Sequence, residues 1–243
     1  MDNYRELLKH EVEKDYKKAG EGLVKEIRQE HKDLVTQLEI ADRVEITSKA
    51  TSYITIKDHK ESFPNKISTR LIIPCKSELR KVSKQLLDDI NKALRYKLKL
   101  GQVRNTAQVI TWFRQRDPNV RWSFTTFDIE SFYPSISENL INNALEWAAS
   151  ETILTRVDKQ IILSSCKNLL YTEKGAWVKS QGWTHDVTMG SYPGAEIAEL
   201  VGLYLLHQMK LERIEPILCR DDGYCSANLS QSAEEFVNVA GMY

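Results

Sequence analysis

Near its C-terminal end the chain reads Leu218-Cys219-Arg220-Asp221-Asp222-Gly223-Tyr224, two adjacent aspartates between two short runs of strand-forming residues. Aspartate is a poor former of helix and strand, and neighbouring carboxylates repel. Asp-Gly between such runs signals a hairpin, so the sequence puts the turn at Asp222-Gly223 and the carboxylates at its tip. A third aspartate, Asp128, closes VRWSFTTFDIE, whose alternation of large and polar residues reads as another strand. If these strands are neighbours in one antiparallel sheet, three carboxylates meet at one end. Each then adds repulsion of roughly 1 kcal/mol or more in partly screened surroundings. A cation relieves such a cluster, and oxygen ligands that leave positions for water and phosphate suit Mg²⁺, with Mn²⁺ as a substitute. An isolated Asp-Asp-Gly is ordinarily a solvated turn, so the weight of the reading rests on the conjunction with Asp128.

The remaining elements follow from periodicity. Residues 1–46 read as a Lys- and Glu-rich helical segment, a solvated scaffold with Leu23, Ile27, Leu34 and Leu38 at helical spacing. SYITIKDHK and STRLIIP read as two strands joined by a loop, with Lys57, Lys60 and Arg70 towards the loop end. Ser77 caps a long helix whose apolar stripe runs from Leu79 to Leu98 and whose other face carries Lys81, Lys84, Lys92, Arg95 and Lys99. A short helix over 104–115 precedes the Asp128 strand. Ser137 opens another helix, 155–170 is a further one, and 176–187 is extended. MGSYPG at 189–194 is a turn-rich break before the apolar helix AEIAELVGLYLLHQM.

Hydrophobic residues make up 42% of the 243, enough for a buried core, and the longest apolar runs are too short to span a bilayer. The expectation is a soluble intracellular protein with no membrane partner. Four cysteines without C-x-x-C spacing argue against a zinc site or disulfide framework. His59 and His185 have no second ligand at metal spacing. Net charge is zero, yet Lys57 to Arg104 holds 13 Lys and Arg against 5 Asp and Glu, a local excess of 13 − 5 = +8. A basic block beside an acidic remainder suits a polyanion-binding surface near a cation site, and equally suits solvated helices.

Together these stretches resemble a family. FDIESFYPSI at 127–136 is similar to motif A of reverse transcriptases, an aspartate followed five positions later by an aromatic. MGS at 189–191 resembles motif B and CRDDG at 219–223 resembles motif C; the order and spacing match. Upstream, Lys57-Asp58-His59-Lys60 and Arg70-Leu71-Ile72 resemble fingers motifs of non-LTR and Penelope-like elements. The resemblance covers roughly residues 50–227. It implies an α+β right-hand polymerase fold of fingers and palm, with an antiparallel palm sheet backed by the 137–149 and 195–210 helices and the thumb absent. The implied division is a helical segment over 1–46, a fingers-like region with the basic helix over 47–118, and a palm over 119–243.

By the same resemblance, Asp128 and Asp221 bind a catalytic Mg²⁺ pair, with Asp222 supporting and the Ile129 carbonyl as a further ligand. Tyr133 is the steric gate against a ribose 2′-hydroxyl. Arg70 with Lys57 or Lys60 holds the triphosphate, and Met189, Gly190 and Ser191 line the nucleotide and template pocket. The implied activity is RNA-directed DNA synthesis from deoxynucleoside triphosphates on a primed RNA or DNA template. Cys219 stands where an aromatic is common, and Tyr-Pro-Gly-Ala-Glu replaces the usual Pro-x-Ser-Pro after motif B. Two further classes stay open: an inactive nucleic-acid-binding module derived from a reverse transcriptase, and a metal-dependent nuclease. Arg220 beside the Asp pair either screens the carboxylates or competes with a metal.

Overall fold

The computed structural model describes residues 2–39, 50–60, 63–74, 78–167, 169–180, 187, 189–190, 193–211 and 215–228. Ser77, His185 and Ser191, singled out above, and Cys75, one of the four cysteines, lie outside the described residues.

The N-terminal segment is not one solvated helix. Helix α1 (Asp2–Asp15) gives way to strand β1 (Tyr16–Lys18), and α2 (Glu21–Gln37) starts after the extended N-cap Gly20. The break has a partner: β1 pairs antiparallel with β6 (Gly175–Lys179), which also pairs with β5 (Leu170–Thr172). Val12 and Tyr16 are buried with Ile73, Leu170 and Trp177, so this segment is bound into the body of the fold. The two expected strands, β2 (Tyr53–Ile56) and β3 (Thr69–Ile72), pair antiparallel, with Thr55 opposite Arg70.

The helices follow their stripes and caps. Helix α3 (Glu78–Leu98) buries Leu87 and Leu94. Helix α4 (Thr106–Arg114) is capped by Asn105, which accepts from the Gln108 N–H. Ser137 caps α6 (Glu138–Glu151) by accepting from Leu140, and Thr155 with Asp158 makes a reciprocal capping box on α7 (Arg156–Cys166). A four-residue helix, α5 (Phe132–Ser135), was not foreseen. Helix α8 (Gly194–Leu211) buries Ile197, Leu200 and Leu203 in a core shared with α3, α5, α6 and α7.

The third sheet has the order β4-β8-β7, from β4 (Trp122–Asp128), β8 (Asp222–Asn228) and β7 (Glu215–Cys219). Its outer rail is extended by Gln102, which bridges in parallel to Leu218. Helix α8 lies beneath β7, with Gly202 against Leu218, and α6 packs on α8. Cys166, Cys219 and Cys225 are free thiols. No helix among the described residues is long and apolar enough to cross a membrane.

The hairpin turn is one step earlier than Asp222-Gly223. It is made by Arg220 and Asp221, with Arg220 in the left-handed region at φ 62°, while Asp222 and Gly223 already belong to β8. Gly223 is there for a cross-strand reason. It sits opposite Phe127, and a β-carbon on residue 223 would fall within the Phe127 ring. The aromatic ring covers the bare glycine backbone, which decouples Gly223 from the turn.

The basic block is partly spent inside the protein. Lys84 lies 2.8 Å from Asp88 and 2.7 Å from Glu196, and Arg95 and Arg104 both pair with Glu199. Lys97 reaches Glu151 at 2.9 Å. These contacts clamp α3 to α8 and α6, so the cations of α3 do not form one open basic face.

Candidate active site

The register of one strand pair builds the centre. β4 against β8 sets Asp128 directly opposite Asp222, and opposed residues in an antiparallel pair face the same side of the sheet. Beyond the last ladder pair the Ile129 N–H donates to the Asp221 carbonyl at 2.9 Å, tying the end of β4 to the hairpin turn. Asp128 and Asp222 are exposed and Asp221 is half-exposed. Two like charges directly opposed in a ladder destabilise it, so this sheet end carries a local electrostatic penalty that a bound cation would remove. The pairing is two by two, Asp128 with Asp222 and Asp221 with Ile129. Among the described residues no three His, Cys, Asp or Glu side chains are grouped to hold a metal. The available donors are carboxylate and carbonyl oxygens at an open position, the chemistry that fits Mg²⁺ with water in its remaining sites.

Tyr133 stands beside this centre. Its ring packs edge-on to Phe132, with centroids 6.1 Å apart, and it is half-buried. Burial pushes its phenol above the ordinary tyrosine value; the nearby Arg220 opposes the rise, and Asp221 and Glu196 add to it. The residues that act on the phenol locate it where α5, the β7–β8 turn and the first turn of α8 come together. Arg220 thus sits in the site, on the same turn as Asp221.

The β2–β3 hairpin supplies the cations. Arg70 lies opposite Thr55 on the face that also carries Tyr53 and Lys57. Lys57, anchored by its N–H to the Ser68 carbonyl at 2.8 Å, has its ammonium pKa lowered by burial first, then by Arg70 and Lys60. Glu11 of α1 opposes that shift and Lys14 adds to it. Glu11 is held there by the Thr69 hydroxyl at 2.9 Å. The result is a group of like charges whose mutual repulsion an anion would relieve. His59 is exposed and lies 3.9 Å from Asp58, outside hydrogen-bond range.

Met189 and Gly190 meet this hairpin. The Ile73 N–H donates to the Met189 carbonyl at 3.0 Å. Gly190 is at φ +90°, and a β-carbon on it would lie 2.7 Å from the Ile72 Cγ2. Glycine satisfies both the left-handed backbone and the close approach. The turn is therefore fastened to the end of the strand that carries Arg70. Sequence reasoning did not single out Glu11, Lys14 or Glu196. Only Glu196 left a trace, in the Tyr-Pro-Gly-Ala-Glu departure after motif B.

No family model and no curated protein sequence matches the chain. Solved structures do. Telomerase from Candida albicans, solved in complex with the TWJ fragment of telomeric RNA, superposes with TM-score 0.61 at 11% identity, over 99% of this chain and 44% of its own. Apo telomerase from Candida tropicalis, truncated from its C-terminal domain, gives TM-score 0.55 at 13% identity over 86% of this chain and 49% of its own. The chain has a polymerase-like fold. The RNA-dependent RNA polymerase of a human picobirnavirus also matches, with TM-score 0.53 at 14% identity over 73% of this chain and 36% of its own. The chain spans less than half the length of each of these polymerases.

Proposed function

We propose that this chain is the fingers and palm of an RNA-directed DNA polymerase of the non-LTR or Penelope-like reverse-transcriptase type. The observation that carries the reading is the β4–β8 register, which sets Asp128 opposite Asp222 with Asp221 in the adjoining turn. It is supported by the motif order, by the telomerase-like fold and by the cation group at Lys57, Lys60 and Arg70. Asp128, Asp221 and the Ile129 carbonyl would hold the Mg²⁺ pair, with Asp222 beside them. When bound, that pair neutralises charge at the reacting phosphate and activates the primer 3′-hydroxyl.

The chain's own groups do the positioning. Arg70 and Lys57 take the phosphate oxygens of an incoming deoxynucleoside triphosphate, Arg70 through its planar fork and Lys57 as a point charge. Tyr133 fills the space a 2′-hydroxyl needs, and its burial keeps the ring in place. Met189 and Gly190 form the wall next to Ile72, and glycine lets a base or sugar approach the backbone. Ser191 and Lys60 complete the set by motif. Phosphoryl transfer asks for positioning and charge stabilisation more than covalent participation, and these residues offer both.

Primer extension with four deoxynucleotides and Mg²⁺ on RNA and DNA templates tests the reading. Extension on RNA that falls at least about a hundredfold in Asp221→Asn supports it, given the size of electrostatic terms in catalysis. Strand cleavage instead of extension would identify a nuclease, and template binding with neither activity a binding module.

A further inference from the structure

Lys179 is a lysine the site has not used. It ends β6, opposite Tyr16, its relative exposure is 7%, and its Nζ donates to the Pro134 carbonyl at 2.8 Å. Pro134 is the third residue of α5, next to Tyr133. A helix of four residues leaves its carbonyls without following N–H groups. The C-cap Ile136 is extended, and its N–H goes to the Tyr133 carbonyl at 3.3 Å. The Pro134 carbonyl is taken by the Lys179 ammonium, a cation at a helix C-terminus, where the backbone dipoles favour it.

The other end of the turn is equally fixed. Ser131 is left-handed at φ 52°, the Ser135 hydroxyl donates to the Ser131 carbonyl at 2.9 Å, and the Ile129 N–H is tied to Asp221. Phe132 and Ile136 are buried on either side. Tyr133 is therefore carried on a short turn pinned upstream to the carboxylate hairpin and downstream to β6. Burying an ammonium is expensive, and a methionine would fill the same volume without that penalty. What the cation adds at α5 is a directed hydrogen bond to the Pro134 carbonyl.

We infer that Lys179 is a positioning residue for Tyr133, fixing the depth of its ring by holding the Pro134 carbonyl. The inference rests on the proposed gate role of Tyr133. Lys179 touches no reacting atom; it acts through the backbone of α5, and its loss lets the ring sit back from the sugar position.

Two readouts separate this inference from the function it rests on. The first needs no activity. In the chain labelled with 3-fluorotyrosine, the Tyr133 fluorine resonance is assigned by its loss in Tyr133→Phe. Lys179→Met is expected to shift that resonance and increase its H₂O/D₂O isotope shift, while Lys179→Arg, which keeps a buried cation, stays near wild type. An unmoved resonance in Lys179→Met overturns the inference whether or not the chain polymerises. The second reads sugar discrimination, the ratio of kcat/KM for deoxy- over ribonucleotide. Lys179→Met is expected to lower it about tenfold, as misplacement of a positioning group does. Tyr133→Ala abolishes it, and adding Lys179→Met to Tyr133→Ala lowers it no further. A Lys179→Met variant that is slow but equally discriminating, or additive with Tyr133→Ala, overturns the inference. Should Lys179→Met not fold, Lys179→Gln carries both comparisons with the same expected direction.

Discussion

At Gly223 the side chain that is missing does the structural work. Phe127 lies across the bare backbone of its ladder partner, in the space a methyl group would need. Gly223→Ala therefore displaces the ring rather than straining the backbone. Overpacking of this kind costs about 1–3 kcal/mol, to be read as a lower urea midpoint at unchanged slope. Trimming the ring in Phe127→Leu should recover part of the loss in the double variant, giving a favourable coupling. Simple addition of the two single effects would show that Gly223 is needed for something other than the ring.

At the scale of elements, the α3–α8 clamp separates structural cations from cations open to a ligand. Lys84 has its ammonium pKa raised by hydrogen bonds to Asp88 and then Glu196. Lys84→Gln is expected to lower stability by roughly 1 kcal/mol or less, shrinking in high salt because the pair is partly exposed. It should leave the salt dependence of the proposed template binding unchanged, whereas Arg70→Gln should flatten that slope by about one phosphate contact. Equal effects of the two substitutions on the slope would return α3 to the role of a nucleic-acid surface. This contrast marks how far the sequence could be read. Ser137 was legible because a cap bonds three residues ahead, and α3 by its apolar stripe and α8 by its apolar run because burial follows hydrophobic pattern; the caps Asn105 and Thr155 came from the structure. The cations of α3 were legible as charges, but their partners Glu196 and Glu199 lie about a hundred residues on in sequence. The hairpin turn was misplaced by one step because Asp-Gly is a local signal and Phe127 a distant one. In the site, Asp128, Asp221 and Asp222 announced themselves by motif. Glu11 and Lys14 did not, since nothing in α1 shows that it will pack on the β2–β3 hairpin.

On the scale of the whole molecule, the junction of α2, α3 and α7 links folding to pH. His31 of α2 lies with Nε2 2.9 Å from the Ser164 carbonyl of α7, so the neutral ring carries its proton on Nε2 and donates. Burial lowers its pKa; the hydrogen bond to Ser164 opposes this, Arg80 of α3 adds to the lowering, Glu30 opposes it and Lys167 adds. The folded state therefore holds His31 neutral to lower pH than the unfolded chain, whose histidine titrates near 6.5. As pH falls through about 6.5, the unfolded chain binds the proton first, so stability declines from there down to the folded-state pKa and is fully present above 6.5. One such group gives a slope of at most about 1.4 kcal/mol per pH unit. Carboxylates, which titrate near pH 4, contribute little in that window. Urea midpoints for the full chain should thus fall between pH 7.5 and about 5.5, and His31→Gln, with no charge to gain, should flatten the decline. A decline equally steep in His31→Gln would assign the acid sensitivity to another group and leave the α2–α7 contact without a role in it.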